Sequence, residues 1–248
     1  MSEPASQIWF VADLHLDAAR PAATRAFLDL LAEQPGPAAL YILGDLFETW
    51  IGDDGDAPPG EQVATGLQGL AERGCELYFI HGNRDFLLGE DYARRCGLRL
   101  LPEHMVIDLH GISTLIMHGD TLCTDDLEYQ ALRRQVRSPA WQASVLAQPL
   151  AARRQLAAQL RGESTAALRD KPETITDVNA DTVQRVMMDH GVRQLIHGHT
   201  HRPGFHDLAV NGQPARRMVL GAWYHGGSVL CCDASGCHLL TRPATTAS

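Results

Sequence analysis

Five apolar runs in this chain end in the same way, with side chains able to bind a metal placed just after the last apolar residue. Each run has the composition of a short buried strand, and the five cover residues 8–12, 39–43, 76–80, 114–117 and 194–196. The side chains that follow them are Asp13, His15, Asp45, Asn83, His118, His199 and His201. Because open α/β sheets place ligands at the carboxyl ends of their strands, we expect these side chains to converge. A lone Asp-x-His would indicate only a solvated strand end, whereas five such ends predict a metal centre.

The mixture of donors indicates two cations rather than one. Asp45 is the carboxylate expected to bridge them. Asp13, His15 and one late histidine would complete one ion, and Asn83, His118 and the other late histidine would complete the second. Carboxylate, amide and imidazole ligands without thiolate suit Mn²⁺, Fe²⁺ or Zn²⁺ better than Mg²⁺.

The late histidines lie in the segment Gly198-His199-Thr200-His201. His199 and His201 are separated by one residue, so both face the same side of an extended strand. A tight turn at Gly198 would let each reach a different ion. His197, at the end of the apolar run, is expected to support the ligands from behind rather than to bind a metal.

Other polar residues in the chain are expected to be structural. A lone histidine on a strand is more often a satisfied core residue than a ligand, and this applies to His81, His104, His110, His190, His206, His225 and His238. The carboxylates that follow the second run are expected to form a solvated turn, and these are Asp53, Asp54 and Asp56.

Size and charge limit the classes of function. A chain of 248 residues fits one large domain. The net charge of −9 argues against nucleic-acid binding, which is normally carried by a basic face. The six cysteines form no CxxC pair and no export signal accompanies them, which favours reduced thiols. No apolar run approaches the ~18 residues of a membrane-spanning helix, so we expect any membrane contact to be peripheral.

Strands and helices alternate, which predicts a layered α/β domain. Helices are expected over residues 22–33, 61–73, 91–96 and 181–190, and a hairpin over 106–117. Three β segments at 217–220, 228–232 and 237–240 are expected to form a small closing antiparallel sheet. Residues 125–176 are expected to be a helical insertion in a single domain spanning 1–248, because helix formers dominate there. Between 127 and 171 the charge is +5, which suits a scaffold, a lid over the site or a surface for anionic lipid.

The five blocks resemble, in order, the signature of the calcineurin-like metallophosphoesterases. They read Asp13-x-His15, Gly44-Asp45, Gly82-Asn83-Arg84-Asp85, His118-Gly119-Asp120 and Gly198-His199-Thr200-His201. The resemblance implies a layered α/β sandwich around a two-metal centre. The longer segments 44–54, 81–87 and 118–126 resemble one branch of that family, the UDP-2,3-diacylglucosamine diphosphatases of lipid A synthesis.

That branch implies a specific activity and set of sites. The expected reaction is Mn²⁺-dependent cleavage of UDP-2,3-diacylglucosamine to UMP and lipid X, peripherally on the cytoplasmic face of the inner membrane and without an obligate protein partner. The implied ligands are Asp13, His15, Asp45 and His201 for one Mn²⁺, and Asp45, Asn83, His118 and His199 for the other. Catalytic roles are implied for Asp45, Asn83, Arg84 and His118. Substrate contacts are implied at Asn83, Arg84, Asp126, Ser164, Lys171 and His199, under a helical lid. Leu168 stands where the branch has a polar substrate contact.

Arg84 favours an anhydride as the substrate. Many relatives have a histidine here that can protonate an alkoxide leaving group, whereas an arginine cannot give up its proton at working pH. A phosphate monoester, with a second pKa of ~6, can leave without a proton. The alternatives are a surface Arg84 paired with Asp85, a soluble phosphodiester or nucleotide as substrate, and a non-catalytic scaffold with a vestigial site. The scaffold would be expected to lack ligands, and none is missing.

Overall fold

The computed structural model describes residues 7–55, 58–170, 173–224 and 226–243, with the side chains of 163–170, 173–174 and 243 left out of the description. Two sheets run through it. The first sheet has the order β11-β10-β1-β2-β3-β4 and the second has the order β5-β6-β7-β9-β8. The strands are β1 (Ile8–Val11), β2 (Ala39–Ile42), β3 (Glu76–Phe79), β4 (Leu98–Leu100), β5 (His104–Leu109), β6 (Ile112–Met117), β7 (Gln194–His197), β8 (Gly204–Val210), β9 (Gln213–Val219), β10 (Gly226–Asp233) and β11 (Gly236–Pro243).

The helices follow the expected segments closely. They are α1 (Pro21–Leu31), α2 (Gly60–Glu72), α3 (Glu90–Cys96), α4 (Leu127–Val136), α5 (Pro139–Leu146), α6 (Leu150–Asp170), α7 (Glu173–Thr176) and α8 (Ala180–Asp189). The helices of the insertion are interrupted at Pro139 and Pro149: α5 begins at Pro139, and α6 begins directly after Pro149. None of the helices in the described ranges is both long and apolar enough to cross a bilayer.

The alternation of side chains along β1 builds the layers. Trp9 and Val11 pack with α1 and α2, whereas Phe10 and Ala12 pack against the second sheet. The outer face of the second sheet is covered by α8, which contributes Val183 to a third cluster. The result is a helix, sheet, sheet, helix stack, so the predicted layered α/β sandwich is confirmed.

The expectation of a separate closing antiparallel sheet is wrong. β10 pairs antiparallel with β1, and β9 pairs parallel with β7, so the late strands extend the two main sheets. β10 is apolar on both faces, with Val229 in one cluster and Leu230 in the other. Such a strand needs cover on both faces, which its position between β11 and β1 in the first sheet provides. The short strand β4 and the polar strand β8 were not expected, since neither carries a clear apolar pattern.

Two further expectations are wrong in part. Asp53 is not a solvated turn residue: its carboxylate accepts hydrogen bonds from Trp50 Nε1 at 3.0 Å and from the backbone N–H groups of Gly89 and Tyr92 at 2.9 Å each. It therefore stabilises the start of α3.

Cys232 and Cys237, paired across the β10–β11 hairpin, form a disulfide rather than two free thiols.

The insertion is tied to the first sheet by Arg153 on α6. The guanidinium of Arg153 is 4% exposed, donates from Nη1 to the carbonyl of Ile51 at 2.7 Å, and pairs with Asp54. Asp54 is thus an ion-pair partner rather than only a turn residue, and Asp56 lies outside the described residues. This contact fixes α6 beside the loop that follows β2.

Candidate metal centre

The expected ligands come together at one end of the two sheets. His15 Nε2 lies 3.8 Å from Asp45 Oδ2, and His118 Nε2 lies 3.9 Å from the same oxygen. His201 Nε2 lies 3.5 Å from Asp13 Oδ1. Among the described residues, two groups have donor atoms close enough to hold an ion, and they are Asp13 with His15 and His201, and Asp13 with Asp45 and His118. Asp13 belongs to both groups, and Asp45 Oδ2 lies between His15 and His118.

Asn83 and His199 complete the second side of the cluster. Asn83 Oδ1 lies 3.0 Å from His118 Nε2 and 3.0 Å from His199 Nδ1. His118 Nδ1 faces the carbonyl of Leu43 at 2.8 Å. That contact places a proton on Nδ1, so in the neutral imidazole the lone pair is on Nε2, the nitrogen that faces the cluster.

The backbone is left-handed at five of the seven expected ligands. The φ angles are 54° at Asp13, 49° at His15, 53° at Asp45, 67° at His199 and 56° at His201. Each such residue costs about 1–3 kcal/mol and persists only where its surroundings enforce it. Here the loops after β1 and β2 pair with each other, with Asp13 N donating to Gly44 O at 3.1 Å and His15 N donating to Asp45 O at 2.8 Å.

Glycines before the ligands allow the loops to approach each other. A Cβ on Gly82 would lie 2.1 Å from Asp45 Oδ1, and one on Gly198 would lie 2.5 Å from Asp13 Oδ2. A Cβ on Gly44 would lie 2.6 Å from the backbone of Gly82. The Gly-Asp, Gly-Asn and Gly-His pairs of the sequence are therefore a packing requirement of the site.

The electrostatics of the cluster favour a bound cation. Burial, with Asp85 and Asp13 nearby, raises the pKa of Asp45 to about 7. Burial lowers the pKa of His15 to about 3 and that of His199 to about 4, so both imidazoles are in the neutral form that binds metals. Asp13 Oδ1 and His15 Nδ1 are buried without a hydrogen-bond partner among the described residues. A divalent cation beside Asp13 and Asp45 would supply the missing positive charge.

The comparisons with known proteins agree with this geometry. The sequence profile of the calcineurin-like phosphoesterases matches residues 6–203, most of the chain. The chain belongs to the calcineurin-like phosphoesterase family.

Three relatives of this chain are named UDP-2,3-diacylglucosamine hydrolase. The protein from Cellvibrio japonicus is 55% identical over 234 residues, covering 94% of this chain and 97% of the relative. The protein from Stenotrophomonas maltophilia is 53% identical over 240 residues, with coverages of 94% and 97%. The protein from Salmonella arizonae is 52% identical over 235 residues, with coverages of 94% and 98%.

Arg84 lies beside the cluster of this calcineurin-like phosphoesterase and does not pair with Asp85. Asp85 is fully buried and accepts hydrogen bonds from the backbone N–H groups of Leu46 at 2.7 Å and Gly82 at 2.9 Å. The backbone N–H of Arg84 donates to Asp45 Oδ1 at 2.8 Å. The Arg84 guanidinium makes no hydrogen bond or ion pair with another described residue. Arg84 lines two cavities, one polar cavity that contains the cluster and one neighbouring apolar groove.

Two cavities meet at Asn83, Arg84 and Tyr129. The polar cavity is lined by His15, Asp45, Asn83, Arg84, Cys123, Asp126, Tyr129, Thr176, His199, Thr200, His201 and Tyr224. The apolar groove lies between the first sheet and the insertion, and its largest apolar side chains are Trp50, Ile51, Phe86, Leu87, Leu132, Val136, Trp141, Val145, Leu156 and Leu160. A ligand with one polar and one apolar half could therefore span both.

The other expected site residues have varied positions. Asp126 is 8% exposed, lines the polar cavity and accepts a hydrogen bond from Tyr129 N at 3.0 Å at the start of α4. Lys171 and the side chains of Ser164 and Leu168 lie outside the described residues. His197 is fully buried, with Nδ1 2.8 Å from Gly198 O and Nε2 3.1 Å from Arg217 Nη1.

Several residues around the site were not expected from the sequence. Tyr129 donates from Oη to Asp120 Oδ2 at 3.0 Å, and its ring stacks on that of His199 at 5.8 Å. Glu48 and Tyr224 lie against His15. Glu48 lies three residues after Asp45 in the loop that follows β2, and this proximity in sequence could have identified it as a neighbour of the site. No sequence pattern indicates a role for Tyr224.

We expect Gly82→Ala to abolish divalent metal binding. Its new Cβ would lie 2.1 Å from Asp45 Oδ1, so the carboxylate or the loop must move. Gly69→Ala on α2 is the matched control, because its Cβ would meet only Arg73 Nη1, at 3.7 Å. Isothermal titration with Mn²⁺ measures both variants; binding by Gly82→Ala equal to that of Gly69→Ala would contradict the packing role.

Proposed function

We propose that this chain hydrolyses the diphosphate bond of UDP-2,3-diacylglucosamine to UMP and 2,3-diacylglucosamine 1-phosphate, known as lipid X, in lipid A biosynthesis. The observation that carries the proposal is the junction of a metal-binding cluster with an apolar groove at Asn83 and Arg84. The relatives named UDP-2,3-diacylglucosamine hydrolase match the chain over nearly its whole length. They favour this substrate over a soluble phosphodiester.

The cofactor is proposed to be a pair of Mn²⁺ ions. Asp13, His15, Asp45 and His201 would hold one ion, and Asp45, Asn83, His118 and His199 would hold the other. Asp13 Oδ1, which is buried without a hydrogen-bond partner among the described residues, and the neutral imidazoles of His15 and His199 support this assignment. When bound, two such ions activate a water molecule and neutralise phosphoryl oxygens.

The chain's own residues orient the diphosphate. Asn83 and Arg84 lie where the two cavities meet, so they would contact the phosphates with the nucleotide on one side and the acylated sugar on the other. Arg84 can pair with phosphate through two N–H groups but cannot supply a proton. Water attacks the α-phosphorus, and the sugar 1-phosphate leaves as a phosphate monoester that needs no proton. His118, held by the Leu43 carbonyl, keeps Nε2 directed at Asp45.

The acyl chains would occupy the apolar groove. Its walls come from the loop after β2, the loop after β3 and helices α4 to α6, so the insertion acts as a lid. Burial of acyl methylenes contributes about 0.8 kcal/mol each. Asp126, Ser164, Lys171 and His199 are proposed as further substrate contacts.

We propose a peripheral location on the cytoplasmic face of the inner membrane. The substrate is a lipid, and the segment 127–171 carries a charge of +5 that would attract anionic headgroups. The net charge of −9 does not suit nucleic acid, and no obligate protein partner is proposed.

The reaction is tested with the acylated UDP-sugar and Mn²⁺ in ¹⁸O-labelled water. Phosphorus NMR should show UMP carrying the label and unlabelled sugar 1-phosphate, because water attacks the α-phosphorus. Label on the sugar 1-phosphate would contradict the attack position. Equal turnover of a substrate without acyl chains would contradict the lipid assignment.

Arg84→Lys should lower kcat on the diphosphate substrate by roughly 100-fold, since removing one donor to a developing charge costs about that much. Lysine keeps the charge but loses the paired N–H geometry. Arg94→Lys on α3 is the matched control, because the Arg94 side chain is 74% exposed and, within the described part of the chain, pairs with Asp91 alone. Steady-state kinetics of both variants measure the effect, and full turnover by Arg84→Lys would contradict the role of Arg84.

A further inference from the structure

His15 differs from His118 in the partner of its second ring nitrogen. His15 Nε2 faces the cluster, 3.2 Å from His201 Nε2 and 3.8 Å from Asp45 Oδ2. Nδ1 points away from the cluster, is buried and has no hydrogen bond to a described residue. The atom that faces it is Glu48 Oε2, at 3.6 Å. That separation is a few tenths of an ångström longer than a hydrogen bond.

The tautomer of His15 decides whether it can bind a cation through Nε2. A neutral imidazole has one proton and one lone pair, so Nε2 can be a ligand only if the proton is on Nδ1. A buried N–H without an acceptor is costly. Glu48 offers a negatively charged acceptor in the correct place, whereas His118 uses the Leu43 carbonyl for the same purpose.

Glu48 is itself held in place from two directions. Its backbone N–H donates to Leu16 O at 3.1 Å, which pairs its loop with the loop that carries His15. Arg20 Nη2 donates to Glu48 Oε2 at 2.5 Å and also to the backbone carbonyl of His15 at 2.7 Å. The Glu48 side chain is only 14% exposed, so its charge is poorly screened by solvent.

Tyr224 packs against one face of the His15 ring. The two rings stack with centroids 5.2 Å apart and planes 5° from parallel, and the Arg20 guanidinium lies 4.9 Å from the Tyr224 centroid. The ring of His15 is therefore held on its face by Tyr224 and approached on its edge by Glu48.

We infer that Glu48 is a positioning residue for His15: its carboxylate, clamped by Arg20, holds the proton on Nδ1 and so directs the Nε2 lone pair of His15 to a divalent cation. This rests on the metal centre of the proposed function. Carboxylates behind a ligating histidine typically change metal affinity by roughly 10–100-fold when removed.

Mn²⁺ titration of the full chain without substrate tests the inference. Wild-type protein should bind two ions, and Glu48→Ala should bind one of them 10–100-fold more weakly while the other keeps its affinity. Glu48→Gln should lose less, because its amide oxygen can still accept from Nδ1–H. Glu61→Ala is the matched control, since Glu61 also pairs with an arginine, Arg95 Nη1 at 2.5 Å, but on the helical side of the first sheet.

A second measurement separates positioning from a purely structural role. Long-range ¹H–¹⁵N spectra of the metal-free protein, with His15 assigned by His15→Gln, should show Nδ1–H in the wild type and a gain of Nε2–H in Glu48→Ala. An unchanged His15 tautomer, unchanged Mn²⁺ affinity, or equal weakening of both ions with a fall in Tm would overturn the inference. Wild-type protein that takes up no Mn²⁺ would overturn the proposed metal centre as well.

Discussion

The burial of two carboxylates beside histidine side chains is the constraint on which the rest of this structure depends. Asp13 and Asp45 are 0% and 2% exposed, and the donors around them come from the ends of strands in both sheets. Without a cation, such a cluster leaves negative charge and lone pairs facing each other in a poorly solvated space. The left-handed backbone of five candidate ligands and the glycines packed against them keep these groups close together. A bound cation would offset the resulting electrostatic cost.

The convergence of the candidate ligands could be predicted from the sequence because each follows an apolar strand, and neighbouring strand ends lie close together. The pairing of β10 with β1 could not be predicted, since a strand that is apolar on both faces fits beside strands of either sheet equally well. Asp53 was interpreted as a turn residue because capping of α3 depends on a contact 36 residues away. Glu48 and Tyr224 were missed for the same reason: their roles arise from contacts with a third segment, not from their own local pattern.

The two sheets and the insertion contribute different parts of the site. The sheets fix the candidate metal-binding cluster, while α4 to α6 provide most of one wall of the apolar groove. Arg153 joins the two parts by reaching from α6 to the loop that follows Asp45. A substrate that spans both parts would therefore be held by groups whose spacing is set by buried contacts rather than by loose surface segments.

The measurement that tests the central claim most directly is the anomalous scattering of crystals grown with Mn²⁺. Two peaks ~3.5–4 Å apart, one on each side of Asp45, are expected, with His15 and His201 at one peak and His118 and His199 at the other. A single peak, or His118 and His199 turned away from Asp45 in the metal-loaded protein, would contradict it.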